Sequence, residues 1–310
     1  MDQATNLRNI IKAHEQQVKM GTQQQLPNRE EKKERHAKVI TVTSGKGGVG
    51  KSNISINLGI ALQKLGNRVV ILDADFGLAN VEVMLGIRPR FNLADLLFRG
   101  RTVEEVITRG PEGIGFISGG SGIEELINLD PIQIRNLTKR LSDLDELADY
   151  IIVDTGAGIS DGLMQFIKAS DRVLLVVTPE PTSITDAYAV LKSVSRTFAD
   201  TEEPMRIDLV PNRVGSFQEG RMLHKKLLVV IERFLRIDLH LAGSVIQDMN
   251  ISRAVMAQTP IVLSYPHSPA AVAINTLAKS IHEGTSVEEQ SSKKGIRELF
   301  GSFLKGKISL

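Results

Sequence analysis

The stretch Ser44-Gly45-Lys46-Gly47-Gly48-Val49-Gly50-Lys51-Ser52 follows the apolar run KVITVT and leads directly into a helical pattern, NISINLGIALQKLG. Its spacing, Gly45-x4-Gly50-Lys51-Ser52, is that of a phosphate-binding loop. Glycines let successive backbone N–H groups wrap phosphate oxygens without Cβ clashes, and the following helix N-terminus adds partial positive charge. Lys51 is placed to reach the outer phosphates, and the Ser52 hydroxyl to ligate Mg2+. The loop works only between a strand and a helix, so it commits this part of the chain to an α/β arrangement.

The rest of the chain agrees. From Lys38 to Gly284, β-rich apolar runs alternate with helical patterns, which predicts a mostly parallel sheet flanked by helices on both faces. Strands are expected at KVITVTS, RVVILDAD, GIGFIS, DYIIVDT, RVLLVVT, RIDLVPN and LAGSVI. Helices are expected at 51–65, 131–148, 160–169, 182–198, 216–235 and 268–284, the last ending at Gly284. Residues 21–37 are Gln-rich and then charged, and 285–293 are polar, so both read as linkers flanking one domain at 38–284.

Composition removes several functions. The chain has no cysteine, which excludes disulfides, thiolate zinc sites and cysteine-ligated iron–sulfur clusters, and its six histidines lack metal-ligand spacing. A net charge of +2 gives no general reason to expect nucleic acid as a partner. No apolar run is long enough to span a bilayer and the N-terminus is too polar for a signal peptide, so a cytoplasmic protein is expected.

Three further features surround the loop. Lys46, directly after the first glycine, is an extra cation at the phosphate end, the kind of group that neutralises charge developing on a γ-phosphate and that a second subunit can supply. In ILDADFGLAN, Asp73 and Asp75 are two positions apart at a strand end, so they face the same side of the sheet at the edge where ligands bind. In YIIVDTGAGI, a buried apolar strand delivers Asp154 beside the phosphates, followed by glycines suited to a moving segment.

KGGVGKS is similar to the deviant phosphate loop of the MinD/ParA family of P-loop ATPases. That resemblance implies an ATP-sandwiched homodimer in which Lys46 contacts the partner's nucleotide. It also implies that Asp73 and Asp154 support Mg2+, that Asp75 positions or polarises the attacking water, and that Asn80 helps arrange the first switch. Asn212, in LVPNRV, would sit just after a strand and read the adenine edge beside Arg213, and TPIVLSYPHSPAA resembles the loop that closes over the base. A GTP site would instead carry Asn-Lys-x-Asp where this chain has Asn212-Arg213-Val214-Gly215, so ATP is expected. Gly156 stands where MinD proteins typically have proline, which places the match in another branch.

Both tails carry patterns. Ile296, Leu299, Phe300, Phe303 and Leu304 recur at offsets 0, 3, 4, 7 and 8, one face of a short basic helix over 294–310 that reads as an interfacial membrane anchor for an anionic surface. Two such tails on a dimer would bind far more firmly than one. At the other end, Ala4, Leu7, Ile11, His14 and Val18 make a narrow helical stripe over 1–20 that Asp2 could cap. The start DQATNLR resembles the Asp-Gln-Ala-x-x-Leu-Arg opening of the FlhG (YlxH) family of flagellar number regulators. This implies that Asp2, Gln3, Ala4, Leu7 and Arg8 engage the SRP-type GTPase FlhF, with flagellar basal-body (C-ring) components as further partners and the ATP-bound dimer held at the inner face of the plasma membrane. MinD-type division ATPases, ParA-type partition ATPases and small-molecule kinases share the fold and remain the alternatives.

Overall fold

The computed structural model describes residues 36–75, 80–120 and 143–284. Its centre is a sheet whose strands lie in the order β3 (Thr108–Arg109), β4 (Gly115–Ile117), β2 (Val69–Ala74), β5 (Tyr150–Thr155), β1 (Lys38–Thr43), β6 (Arg172–Val177), β7 (Met205–Val214) and β8 (Ile237–Leu241). A short β9 (Val245–Ile246) pairs with β7 beyond its bulge. All pairings are parallel except β3 with β4.

Strand parity assigns the two faces. Ile40 and Val42, Val69 and Ile71, Tyr150 and Ile152, and Leu174 and Val176 point into one core with helix α1 (Lys51–Lys64) and helix α11 (Pro269–Glu283). Their neighbours Val39, Val70, Leu72, Ile151 and Val153 join a second core, and Val173, Leu175 and Val177 a third, on the opposite face. That face is covered by α6 (Asp161–Ala169), α7 (Pro181–Thr197) and α8 (Phe217–Phe234). Helix α1 is buried nearly all round from Ile54 to Leu62, as a helix sandwiched between sheet and helix must be.

Long elements fall where the sequence places them, and short ones do not. Between the second strand and GIGFIS lie α2 (Asn80–Leu85), α3 (Leu93–Phe98), α4 (Val103–Val106), β3 and a 3-10 turn (Pro111–Gly113), none of which the hydrophobic periodicity indicated. Of the expected helix 131–148 only α5 (Leu144–Leu147) falls within the described residues. The seventh strand is corrected: β8 is Ile237–Leu241, an alternating I-D-L-H-L, while LAGSVI contributes only its first residue, Leu241, to β8 and its last two to β9. Beyond it, α9 (Met249–Met256) and α10 (Ile261–Ser264) precede α11.

Candidate functional site

The loop between β1 and α1 sits at the C-terminal edge of the parallel strands, where β2 and β5 also end. Gly50, at φ 100°, opens α1 in the left-handed region, and a Cβ there would lie 2.5 Å from the Asn212 amide nitrogen, so only glycine fits. The Asn212 Nδ2 donates to the Val49 carbonyl at 2.7 Å, and its Oδ1 accepts from the Arg213 N–H at 3.0 Å. This corrects its expected location. Asn212 lies within β7, buried, and its described contacts hold the phosphate loop from behind. Arg213 is exposed at φ 57°; the Glu180 carboxyl is held below its usual range by the hydrogen bond and charge of Lys46, with Arg213 a smaller contributor.

Parity places the acidic groups. Asp73 and Asp154 are register partners on adjacent strands, and each continues the set of residues facing α1. Asp154 is fully buried; its Oδ1 accepts from the Ser55 hydroxyl of α1 at 2.8 Å, while its Oδ2 has no hydrogen-bond partner among the described residues. Burial pushes its pKa up to about 6, against the pull of the Ser52 and Ser55 hydroxyls and of Lys51. Asp73 accepts backbone N–H bonds from Asp75 and Val81, both at 3.2 Å. Burial first, and then the Asp154 charge, raises its pKa to about 7. Lys51 is buried beside them; desolvation lowers its pKa while Asp154 and Asp75 oppose the shift.

Asp75 is less enclosed. Its Oδ2 accepts from Asn80 Nδ2 at 2.9 Å, joining the carboxylate to the start of α2. A Cβ on Gly156 would lie 3.2 Å from its Oδ1, so the glycine keeps space open beside it. Gly158 N–H donates to the Ser44 carbonyl at 3.0 Å, tying the segment after β5 to the mouth of the phosphate loop.

Lys46 does not turn into the cradle. Its Nζ donates at 2.8 Å both to Glu180 Oε2 and to the Thr182 hydroxyl, at the start of α7. Sequence reasoning missed both partners, although the run Thr178-Pro179-Glu180-Pro181-Thr182 marks a strand-to-helix junction at the same sheet edge. Ser55 was missed as well; it lies one turn beyond Lys51 on the face α1 turns toward Asp154. The residues singled out in the tails, Asp2, Gln3, Ala4, Leu7 and Arg8 and then Ile296, Leu299, Phe300, Phe303 and Leu304, lie outside the described residues.

A glycine cradle at a helix N-terminus, a buried lysine, two serine hydroxyls and an unpartnered carboxylate oxygen form a nucleoside triphosphate site, and the second lysine marks its deviant form. The chain belongs to the MinD/ParA family of P-loop ATPases, as an FlhG-type member. Residues 35–282 match the ParA family model, described as NUBPL iron-transfer P-loop NTPase. The chain is 42% identical to the antiactivator FleN of Pseudomonas aeruginosa over 243 residues, 78% of this chain and 85% of FleN. It is 33% identical to the flagellum site-determining protein YlxH of Helicobacter pylori over 272 residues, 87% of this chain and 90% of the relative. Among solved structures, the MinD cell division protein of Aquifex aeolicus superposes with a TM-score of 0.64 at 26% identity, covering 81% of this chain and 99% of that one. The chain contains no cysteine. The protein is an ATPase.

Proposed function

We propose that this ATPase is a nucleotide-switched dimer that sets flagellar number and placement. The observation that carries this reading is Lys46: a cation inside the phosphate motif that turns away from the cradle onto Glu180 and Thr182, exposed enough to leave them for a neighbouring molecule's nucleotide. The similarity to FleN and YlxH supports the flagellar role, and the two patterned tails support its outputs. Residues 1–20 would act on the GTPase FlhF, 21–37 and 285–293 would serve as linkers around the ATPase domain 38–284, and 294–310 would hold the dimer at an anionic membrane surface.

The residues present fit Mg·ATP. Gly45 to Gly50 would enclose the phosphates, with Lys51 at the outer ones, while Ser52, Asp73 and Asp154 would hold the cation, whose charge would satisfy the buried Asp154 Oδ2. The cation supplies charge neutralisation on the phosphates. Asp75 would orient the attacking water from the open side beside Gly156, with Asn80 fixing its other oxygen. Base selection by Asn212 would then be indirect, through the loop it supports. The reading is tested with Asp75→Ala, which should pellet with anionic liposomes in ATP and fail to come off, whereas wild type cycles off as ATP is consumed. A variant that releases like wild type sinks the switch. A peptide of residues 1–20 should stimulate the partner GTPase on its own.

A further inference from the structure

Helix α2 is only six residues long; Val81 and Leu85 seat it in the core beside α1, and its two ends carry the polar contacts. Its N-terminal end carries the contacts to the acidic groups: Val81 N–H to Asp73 and Asn80 Nδ2 to Asp75. At its C-terminal end the Val83 carbonyl accepts from Gly86 N–H at 3.3 Å and from the Gln258 side-chain amide at 2.8 Å. Gln258 reaches this position from a left-handed backbone, φ 50°, which a residue with a Cβ rarely adopts. Gly86, at φ 65°, completes the fit, since a Cβ there would lie 3.0 Å from Gln258 Oε1 and 3.1 Å from its Cβ.

Four residues further on, the same segment is anchored to the phosphate-loop helix. Val262 N–H donates to the buried Asn57 Oδ1 at 3.2 Å, and Asn57 Nδ2 donates to the Asn53 carbonyl at 2.8 Å within α1. Thr259 N–H closes the end of α9 on Ala254 at 3.0 Å, and Pro260 is buried, so little slack separates the two anchors. Residues 258–262 therefore form a strap from α1, which begins with Lys51 and Ser52, to the far end of α2, whose near end bonds the carboxylates.

We propose that Gln258 is a positioning residue for ATP hydrolysis: by holding the Val83 carbonyl it fixes α2, and with it Asp73 and Asp75, against the phosphate-loop helix. The inference rests on the carboxylate roles proposed above. Gln258→Glu keeps the shape of an exposed side chain and replaces the donor with a carboxylate oxygen facing a carbonyl. In the full chain its kcat should fall about fivefold and its Mg2+ half-saturation rise, with KM for ATP within about twofold and the melting temperature unchanged; a misplacement of 1 Å can cost about 100-fold. Wild-type kcat and Mg2+ dependence in Gln258→Glu, or a loss shared equally by kcat, KM and melting temperature, overturns the proposal. Asp75→Ala assayed alongside separates the two failures. If it hydrolyses ATP normally, the carboxylate assignment falls and the inference with it; if it is inactive while Gln258→Glu is normal, only the strap falls.

Discussion

Two buried carboxyls on adjacent strands, Asp73 and Asp154, share one small volume with a single buried lysine. Each has a folded pKa above the ordinary aspartate value, about 7 and about 6 against 3.8, because burial disfavours the charged form. The folded state then binds protons more tightly than the unfolded chain, so nucleotide-free protein loses stability as pH rises from about 4 to about 7. For Asp73 the shift bounds the effect at about 4 kcal/mol. Asp73→Asn carries no charge at any pH, so its melting temperature without nucleotide should fall less between pH 5 and pH 8 than that of wild type. Equal falls in the two proteins would contradict the account. The sequence showed these residues clearly, because a carboxylate ending an apolar strand is visible as a pattern. It could not show that Lys46 finds Glu180 and Thr182, since that contact joins positions more than 130 residues apart through the order of strands.

The central parallel strands and the helices of nine residues or more within the described residues were legible because their apolar periods run for enough residues to be read, whereas β8 and the eight-residue α9 were not. Helices α2, α3, α4 and α10 span four to six residues, less than one reliable period, although Asn92 with Asp95 and Thr102 with Glu105 form capping boxes that announce α3 and α4. The strand β8 alternates Ile237, Asp238, Leu239, His240 and Leu241, a period-two signal that the neighbouring apolar run LAGSVI obscured. Asn212 illustrates the same limit at the junction of elements. The sequence places it just after a strand, but β7 continues through it and uses it to hold the phosphate loop. Removing that amide leaves the Val49 carbonyl without its partner, a loss of about 1–3 kcal/mol. Asn212→Ala should therefore weaken nucleotide binding about tenfold or more, which a titration with a fluorescent ATP analogue would measure, 1.4 kcal/mol being a factor of ten. Unchanged affinity would mean that the loop holds its shape unaided.

At the scale of the molecule, the proposed dimer turns on the second lysine. An exposed ion pair is weak and salt-sensitive, so Glu180 and Thr182 hold Lys46 without committing it. Lys46→Gln should bind ATP close to normally, hydrolyse it at least about 100-fold more slowly and remain monomeric by light scattering, in keeping with the value of a trans-acting cation in phosphoryl transfer. A dimeric variant with normal turnover would remove Lys46 from the trans-acting role. The outline of the sheet bears on the same question. Among the described residues one margin is β3, a two-residue strand paired antiparallel, and the other is β8, whose outer positions include the ion-paired Asp238 and His240. Neither offers a long, bare backbone for another chain to zip onto. Copies of this protein that met through these described margins would do so by side-chain contacts, whose attachments dissolve when a charge changes hands, and not by backbone ladders that would bind them for good.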